Sequence, residues 1–340
     1  MQTFKKENFY GMNVQIVERT EDCAVYQMHS SEGSGVMTTF SVFPGIELIY
    51  NDFHMPSCFQ DVPPASDILE INHCREGRFE CAFENGSCVY MEEGDLAVNL
   101  RSTRAVTSNF PLAHYHGVAV MISLNKAGAT VSSVLEDISI DLPALCRRLR
   151  LEQRCFIMRA KAEIQHIFSE LYNIPKEVQK GYFKLKVLEI LLFLSATDVS
   201  ECNDAKKYFP KKQVDTVKEI KKYITENMDQ RYTLEELSQK FGIGLTFMKQ
   251  CFKGVFGASI LSYLKAYRMQ AAALMLRKSN ESITEIAGKV GYTNVSKFAA
   301  AFRAATGMCP YQYRRADCPS AACICQSDET DCIAWPVQSK

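Results

Sequence analysis

The feature that most restricts what this chain can fold into is a pattern that occurs twice, about 50 residues apart, in its last third. The first copy, residues 232–257, reads YTLEELSQKFGIGLTFMKQCFKGVFG; the second, residues 281–307, reads ESITEIAGKVGYTNVSKFAAAFRAATG. Each opens with a hydroxyl three residues before a glutamate, Thr233 with Glu236 and Ser282 with Glu285. Such a pair satisfies two free amides reciprocally and predicts where each first helix starts. Leu234, Leu237 and Phe241 follow in one copy and Ile283, Ile286 and Val290 in the other, a spacing that predicts a buried helical stripe. Gly242 and Gly291 stand at the break, where a sharp turn needs a residue that tolerates positive φ. A second helix is predicted just beyond. It buries Met248, Cys251 and Phe252 in the first copy and Phe298, Ala301 and Phe302 in the second, leaving the opposite face free. Two helices across a short glycine turn, the second with a free face, form a helix-turn-helix, which sets a helix in the major groove of DNA. Single helix pairs of this kind also occur in proteins that never touch DNA; two on one basic segment are far more specific.

Charge supports that reading. The chain has 39 basic and 39 acidic residues, yet residues 211–315 hold 18 of the former and 8 of the latter. A basic segment joined to an acidic remainder suggests that only one part meets a polyanion. The predicted free face of the first copy shows Leu245, Thr246, Lys249, Gln250 and Lys253. Lysine can pair with guanine and glutamine with adenine. The second copy offers Val295, Ser296, Ala299, Ala300 and Arg303, and its alanines can only touch thymine methyls. The expectation is an uneven division: the first unit reads bases, while the second grips backbone through Asn294, Ser296, Lys297 and Arg303. The alternative for Lys249 and Lys253 is a solvated face. Residues 259–278 predict a continuous connecting helix of about 30 Å, which could set the two units about one DNA turn apart.

Residues 214–315 resemble the DNA-binding domain of the AraC/XylS family. The resemblance rests on F-K-x-x-F-G from Phe252 to Gly257, on Arg268, Ala272, Met275 and Leu276, on I-T-E-I-A with G-Y from Ile283 to Tyr292, and on Gly307, Pro310, Tyr313 and Arg314. Two departures stand out: Gly244-Leu245 where the family often has Ser-Pro, and Ala299-Ala300-Ala301 in a usually more polar helix. The resemblance implies binding to double-stranded promoter DNA, contact with RNA polymerase, and an N-terminal domain that binds a small-molecule effector or dimerises. The N-terminal half is similar to the cupin-like sensor domains of the family. The stretch EINHCREGRFE at residues 70–80, followed by Gly94-Asp95, resembles regulators that answer to iron–siderophore complexes.

The expected fold class is therefore α+β multidomain. Residues 1–140 are expected as a cupin-like β-barrel or sandwich that senses an effector, 141–197 as a helical dimerisation segment, and 198–212 as a linker. Residues 213–315 form the all-α domain with two helix-turn-helix motifs, and 316–340 a flexible tail. Short runs at 23–28, 45–50, 67–74, 79–83, 88–91 and 118–122, punctuated by Gly, Pro, Asn and Asp, predict strands. Ile164, Ile167, Phe168 and Leu171 recur at helical spacing. Tyr182, Leu185, Val187, Leu188, Leu191, Leu192 and Leu194 make a helix apolar over most of its surface, which is either buried or paired with a second copy in a homodimer. No run of about 18 apolar residues predicts a membrane span, and residues 1–10 lack a signal-peptide core, so a cytoplasmic location is expected.

No phosphate loop, G-x-S-x-G elbow or H-E-x-x-H occurs, and no catalytic residue, cofactor or metal is expected. Alternation would place His114 and His116 on one face of a strand, but no carboxylate follows until Glu136, and both are read as structural. His29, His54, His73 and His166 stand isolated and are given no role. Most of the 14 cysteines, Cys74, Cys81 and Cys251 among them, are read as small buried hydrophobes. Cys318, Cys323, Cys325 and Cys332 lack zinc-ribbon spacing. The chain is thus read as a DNA-binding regulator rather than an enzyme. The alternatives are a regulator without ligand, controlled by abundance or a protein partner, and a cupin enzyme carrying a DNA-binding appendage.

Overall fold

The computed structural model describes residues 14–58, 67–82, 86–101, 108–135, 140–198 and 208–316. They fall into an N-terminal unit that runs to Tyr208 and a C-terminal unit that starts at Phe209. The four-cysteine tail and most of the segment between the units lie outside the described residues.

The N-terminal unit opens with antiparallel strands β1 (Val14–Arg19), β2 (Cys23–Ser30), β3 (Gly33–Phe43) and β4 (Ile46–His54). After β5 (Ser57–Cys58) come β6 (Ile68–Gly77), β7 (Phe79–Ala82), β8 (Ser87–Met91), β9 (Leu96–Leu100), β10 (Ser108–Asn109), β11 (Tyr115–Ser123) and β12 (Phe156–Met158). The main sheet has the order β1-β2-β3-β4-β11-β6-β9-β12, and a smaller sheet in this unit joins β8, β7, β10 and β5. Alternation divides the main sheet's side chains between two cores. Tyr26, Met37, Ile49, Phe53 and Tyr115 enter a core shared with Phe79, Val89 and Met91 of the smaller sheet. Leu48, Ile71, Val98, Val118 and Val120 face the other way, against helices.

Those helices are α1 (Leu124–Leu135), α2 (Leu142–Leu149), α3 (Ala162–Ser169) and α4 (Gln179–Ala196), with a 3-10 turn at Glu170–Asn173. Leu145, Ile164, Phe168, Val187, Ile190 and Leu194 share one core with the sheet. Residues 141–197 therefore do not stand apart from the β region, because their apolar stripes have the sheet to bury against. Within them, residues 156–158 form an edge strand on β9, three residues too short to carry a period of their own. All six strand runs read from the sequence are present, as is β9 after the Gly94-Asp95 turn, whereas β1, β3, β5, β10 and β12 have no counterpart in that reading. Of the nine cysteines among the described residues none is in a disulfide, and seven, including Cys74, Cys81 and Cys251, are buried.

Most of residues 70–80 is built into the sheets, with Arg75 exposed and Glu76 half-buried. Glu70 accepts from Asn99 Nδ2 at 3.2 Å, and Glu80 accepts from Tyr90 Oη at 2.6 Å and Asn109 Nδ2 at 2.9 Å. Asp95 accepts from the Glu92 and Ala160 amides and from Arg159, tying the turn after β8 to the chain after β12.

From Lys211 onward the elements of the C-terminal unit are helices: α5 (Lys211–Glu226), α6 (Leu234–Lys240), α7 (Leu245–Phe256), α8 (Ile260–Lys278), α9 (Ile283–Lys289), α10 (Val295–Thr306) and α11 (Pro310–Arg315). α8 is the central helix. Its 19 residues span about 28 Å at 1.5 Å per residue, near the length expected from the sequence. Ser259 caps its start by accepting from the Ser262 amide at 3.2 Å.

Candidate nucleic-acid interface

Both first helices start where the capping boxes place them. The Thr233 hydroxyl accepts from the Glu236 amide at 3.1 Å while Glu236 accepts from the Thr233 amide at 2.9 Å. The second copy repeats the exchange at 3.2 and 2.8 Å between Ser282 and Glu285. These bonds hold the Glu236 and Glu285 carboxyls below their ordinary range, so both stay charged beside a helix N-terminus, where negative charge is favoured. Gly242 and Gly291 take φ of +60° and +78°. Behind them Leu237, Met248, Cys251 and Phe252 are buried in the first pair, and Ile286, Val290, Phe298 and Phe302 in the second. Leu234, Phe241, Ile283 and Ala301, expected in the cores, are only half-buried. They sit at the rim of helices seven to twelve residues long, too short to enclose every position of the stripe.

The expected reading face of α7 is largely free. Thr246, Lys249, Gln250 and Lys253 are exposed, at spacings of three, one and three that line one side of a helix. Leu245 is half-buried and acts as packing at the helix start. Gly244 precedes it without a side-chain cap bond, whereas α10 is capped by Asn294, whose Oδ1 accepts from the Lys297 amide at 2.9 Å. That bond gives Asn294 a structural task the sequence reading did not assign. Val295, Ser296, Lys297, Ala300 and Arg303 are exposed along α10, and Ala299 is half-buried.

The residues that carried the family resemblance hold the two helix pairs together. Arg268 on α8 donates from Nε to the Met228 carbonyl at 2.7 Å and from Nη2 to the Gln230 carbonyl, fixing the loop that enters α6. Arg231 in that loop donates to Thr293 Oγ1 at 3.1 Å, at the entrance to α10. Arg314 donates to the Glu281 carbonyl, and Tyr313 sets its ring edge-on to Phe302 at 5.3 Å. The motif is thus mostly framework, and the exposed candidate DNA-contacting positions lie on α7 and α10.

A second cluster lies in the N-terminal unit, of which sequence spacing showed only the His114–His116 pair, read as structural. His54, read as isolated, joins His114 and His116, each ring offering a nitrogen within 4.8 Å of the others. Carboxylates do reach these rings, from neighbouring strands rather than from the chain after residue 116: Asp52 and Glu76. Only strand pairing, which a linear reading cannot supply, brings these five residues together.

Comparison with known proteins bears on the C-terminal unit. A family model described as a helix-turn-helix domain matches residues 237–316, from within α6 to the end of α11. The transposon Tn10 TetD protein of Escherichia coli is 31% identical over 99 residues, which is 29% of this chain and 72% of that protein. The uncharacterized HTH-type transcriptional regulator YdiP of Escherichia coli is 35% identical over 99 residues, 29% of this chain but only 33% of that relative's length. Among solved structures, the C-terminal domain of AraT, a response regulator from Geobacillus stearothermophilus, is 33% identical over 29% of this chain and 84% of that one, with a TM-score of 0.29. With its helix pairs framed by the motif residues and a relative matched over most of its length, the chain belongs to the AraC/XylS family of DNA-binding transcription regulators.

Proposed function

We propose that this protein regulates transcription by seating α7 and α10 in two major-groove segments on one face of promoter DNA, α7 reading bases and α10 chiefly holding backbone. One observation carries the reading: two helices, each packed on one side, leave polar or basic stripes exposed within residues 211–315, which hold ten more basic than acidic residues. Lys249, Gln250 and Lys253 on α7 match base-edge chemistry, while Ser296, Lys297 and Arg303 on α10 match phosphate. α8, at about 28 Å, is near the roughly 34 Å of one DNA turn.

The same reading gives RNA polymerase as a partner and an effector, acting through the N-terminal unit, as the controlling input. It takes no effector class from residues 70–80, because Glu70 and Glu80 are spent on bonds inside the sheet. A homodimer through α4 is supported by Leu185 and Leu192, two turns apart and 65% and 36% exposed on a helix whose other side, with Phe183, Val187, Ile190 and Leu194, is buried. No helix among the described residues is long and apolar enough to cross a membrane.

Selection of the full chain against a pool of random duplexes tests the proposal. Enrichment of one sequence with two conserved blocks, and affinity that falls steeply with salt, are expected. A pool that stays random after repeated rounds would refute sequence-specific recognition.

A further inference from the structure

The antiparallel register of three strands gathers five metal-ligating side chains at one end of the main sheet. His116 on β11 pairs with Asp52 on β4 and with Glu76 on β6. His54 lies two residues beyond Asp52, and His114 two residues before His116, so alternation puts all four on the same face. Phe53 and Tyr115, between them, point the opposite way into the inter-sheet core, 1% and 2% exposed. The backbone around the cluster is therefore anchored by large aromatic side chains, while His54 keeps an open side to solvent.

The nitrogens are sorted into an inner and an outer set. His114 Nδ1 lies 3.4 Å from His54 Nδ1, and His116 Nε2 lies 3.4 Å from His54 Nε2. Asp52 Oδ1 is 2.9 Å from His54 Nε2 and also contacts His116 Nε2. The outer nitrogens of the same two rings, His114 Nε2 and His116 Nδ1, face Glu76 Oε2 at 3.6 and 3.7 Å. Ligand nitrogens at about 2.0–2.1 Å from a tetrahedral zinc ion are roughly 3.3 Å apart; an imidazole gives one nitrogen to an ion, so His54 would use either Nδ1 beside His114 or Nε2 beside His116, and one nitrogen of each ring lies within 4.8 Å of the others. A carboxylate on the outer N–H of a ligating histidine is the usual arrangement that fixes its tautomer and orientation. Among the described residues this is the one group of three or more such side chains close enough to share an ion.

We infer that the N-terminal unit binds one first-row divalent transition-metal ion of the zinc type through His54, His114, His116 and Asp52, with Glu76 positioning His114 and His116. Three imidazoles with a single carboxylate select this class over Mg2+ or Ca2+, which take oxygen ligands. The site does not depend on the DNA-binding reading, and either stands if the other falls.

The test uses the full chain, stripped with a chelator and titrated with Zn2+, with Mg2+ and Ca2+ alongside. One equivalent of Zn2+ should bind and raise the thermal midpoint, with no response to Mg2+ or Ca2+. His54→Gln and His116→Gln should each weaken binding at least 100-fold, Glu76→Gln about 10- to 100-fold, and His29→Gln, on an exposed residue outside the cluster, not at all. Thermal midpoints of the chelated proteins show whether each variant folds. Co2+ loading of the unmodified chain gives an answer that needs no variant: ligand-field bands of a tetrahedral nitrogen–oxygen site without thiolate charge transfer. No stoichiometric Zn2+, thiolate bands pointing to cysteine ligands, or unchanged binding in folded His54→Gln and His116→Gln would each overturn the inference.

Discussion

Gly291 lies directly against Arg268: a Cβ at residue 291 would stand 2.8 Å from Arg268 Nη2 and 2.8 Å from the Met228 carbonyl oxygen that Arg268 holds. The turn of the second helix pair is thus packed onto the clamp that fixes the entry to the first. At φ +78° the backbone also disfavours any side chain, at a cost of about 1–2 kcal/mol. Displacing the charged hydrogen bond adds about 1.5–3 kcal/mol. Gly291→Ala should therefore destabilise the C-terminal unit by roughly 3 kcal/mol, read as a drop in denaturation midpoint. Gly288→Ala, inside α9 with nothing within 4 Å of its Cβ, should leave stability unchanged or raise it by about 0.5–1 kcal/mol. Equal effects at the two positions would show that the Arg268 contact carries no weight.

Gln250 and Lys297 separate base reading from backbone grip. Gln250→Ala should relax preference at one base position, losing about 1–3 kcal/mol of discrimination there, with no change in folding. Lys297→Ala should weaken binding to all duplexes alike and reduce the salt slope by about one. Binding curves on matched and mismatched duplexes at several salt concentrations distinguish them. A uniform loss from Gln250→Ala would remove the base-reading role of α7.

Asn294 offers a check on its reassignment to capping. Asn294→Ala should lower stability by about 1 kcal/mol even without DNA, and Asn294→Ser should restore most of it, since serine also accepts from the third amide of a helix. Should the alanine variant unfold like wild type and lose only DNA affinity, the side chain serves phosphate rather than the helix.

His73 makes the N-terminal unit acid-sensitive. It is 5% exposed, stacked on Phe168 at 4.3 Å, and neither ring nitrogen has a hydrogen-bond partner among the described residues. Burial pushes its pKa down from 6.5 to about 4. The unfolded chain then takes up this proton first as pH falls. The stabilisation is complete above about pH 6.5 and is lost as pH drops towards about 4, on the order of 3 kcal/mol in all. Denaturant titrations across that window should show a shallower pH dependence for His73→Leu than for wild type; identical slopes would contradict the assignment.

The helical unit was legible because its cues are local. Thr233 with Glu236, Ser282 with Glu285, and the glycines at 242 and 291 each act within a few residues, and a repeat doubles the signal. The sheet was legible only where strands carry apolar or alternating runs bounded by turn residues. β3, rich in Gly, Ser and Thr, gave little sign of an 11-residue strand, since its place depends on β2 and β4 on either side. The separate helical segment expected at residues 141–197 rested on an apolar α4, but apolarity alone cannot say whether the partner is a second chain or the sheet that Val187 and Ile190 meet. The histidine cluster shows the same limit at the level of chemistry. His54 and His114 stand 60 residues apart and become neighbours only through the β4–β11 register.

The most direct measurement is a hydroxyl-radical footprint of the full chain on a duplex enriched from a random pool. Two helices held on one framework by α8 and the Arg268 clamp should protect two segments on one face of the duplex, about 10 base pairs apart. Arg303→Ala should weaken only one of them. A single protected segment, unaffected by changes on α10, would contradict two-site recognition and leave the second helix pair a structural copy of the first.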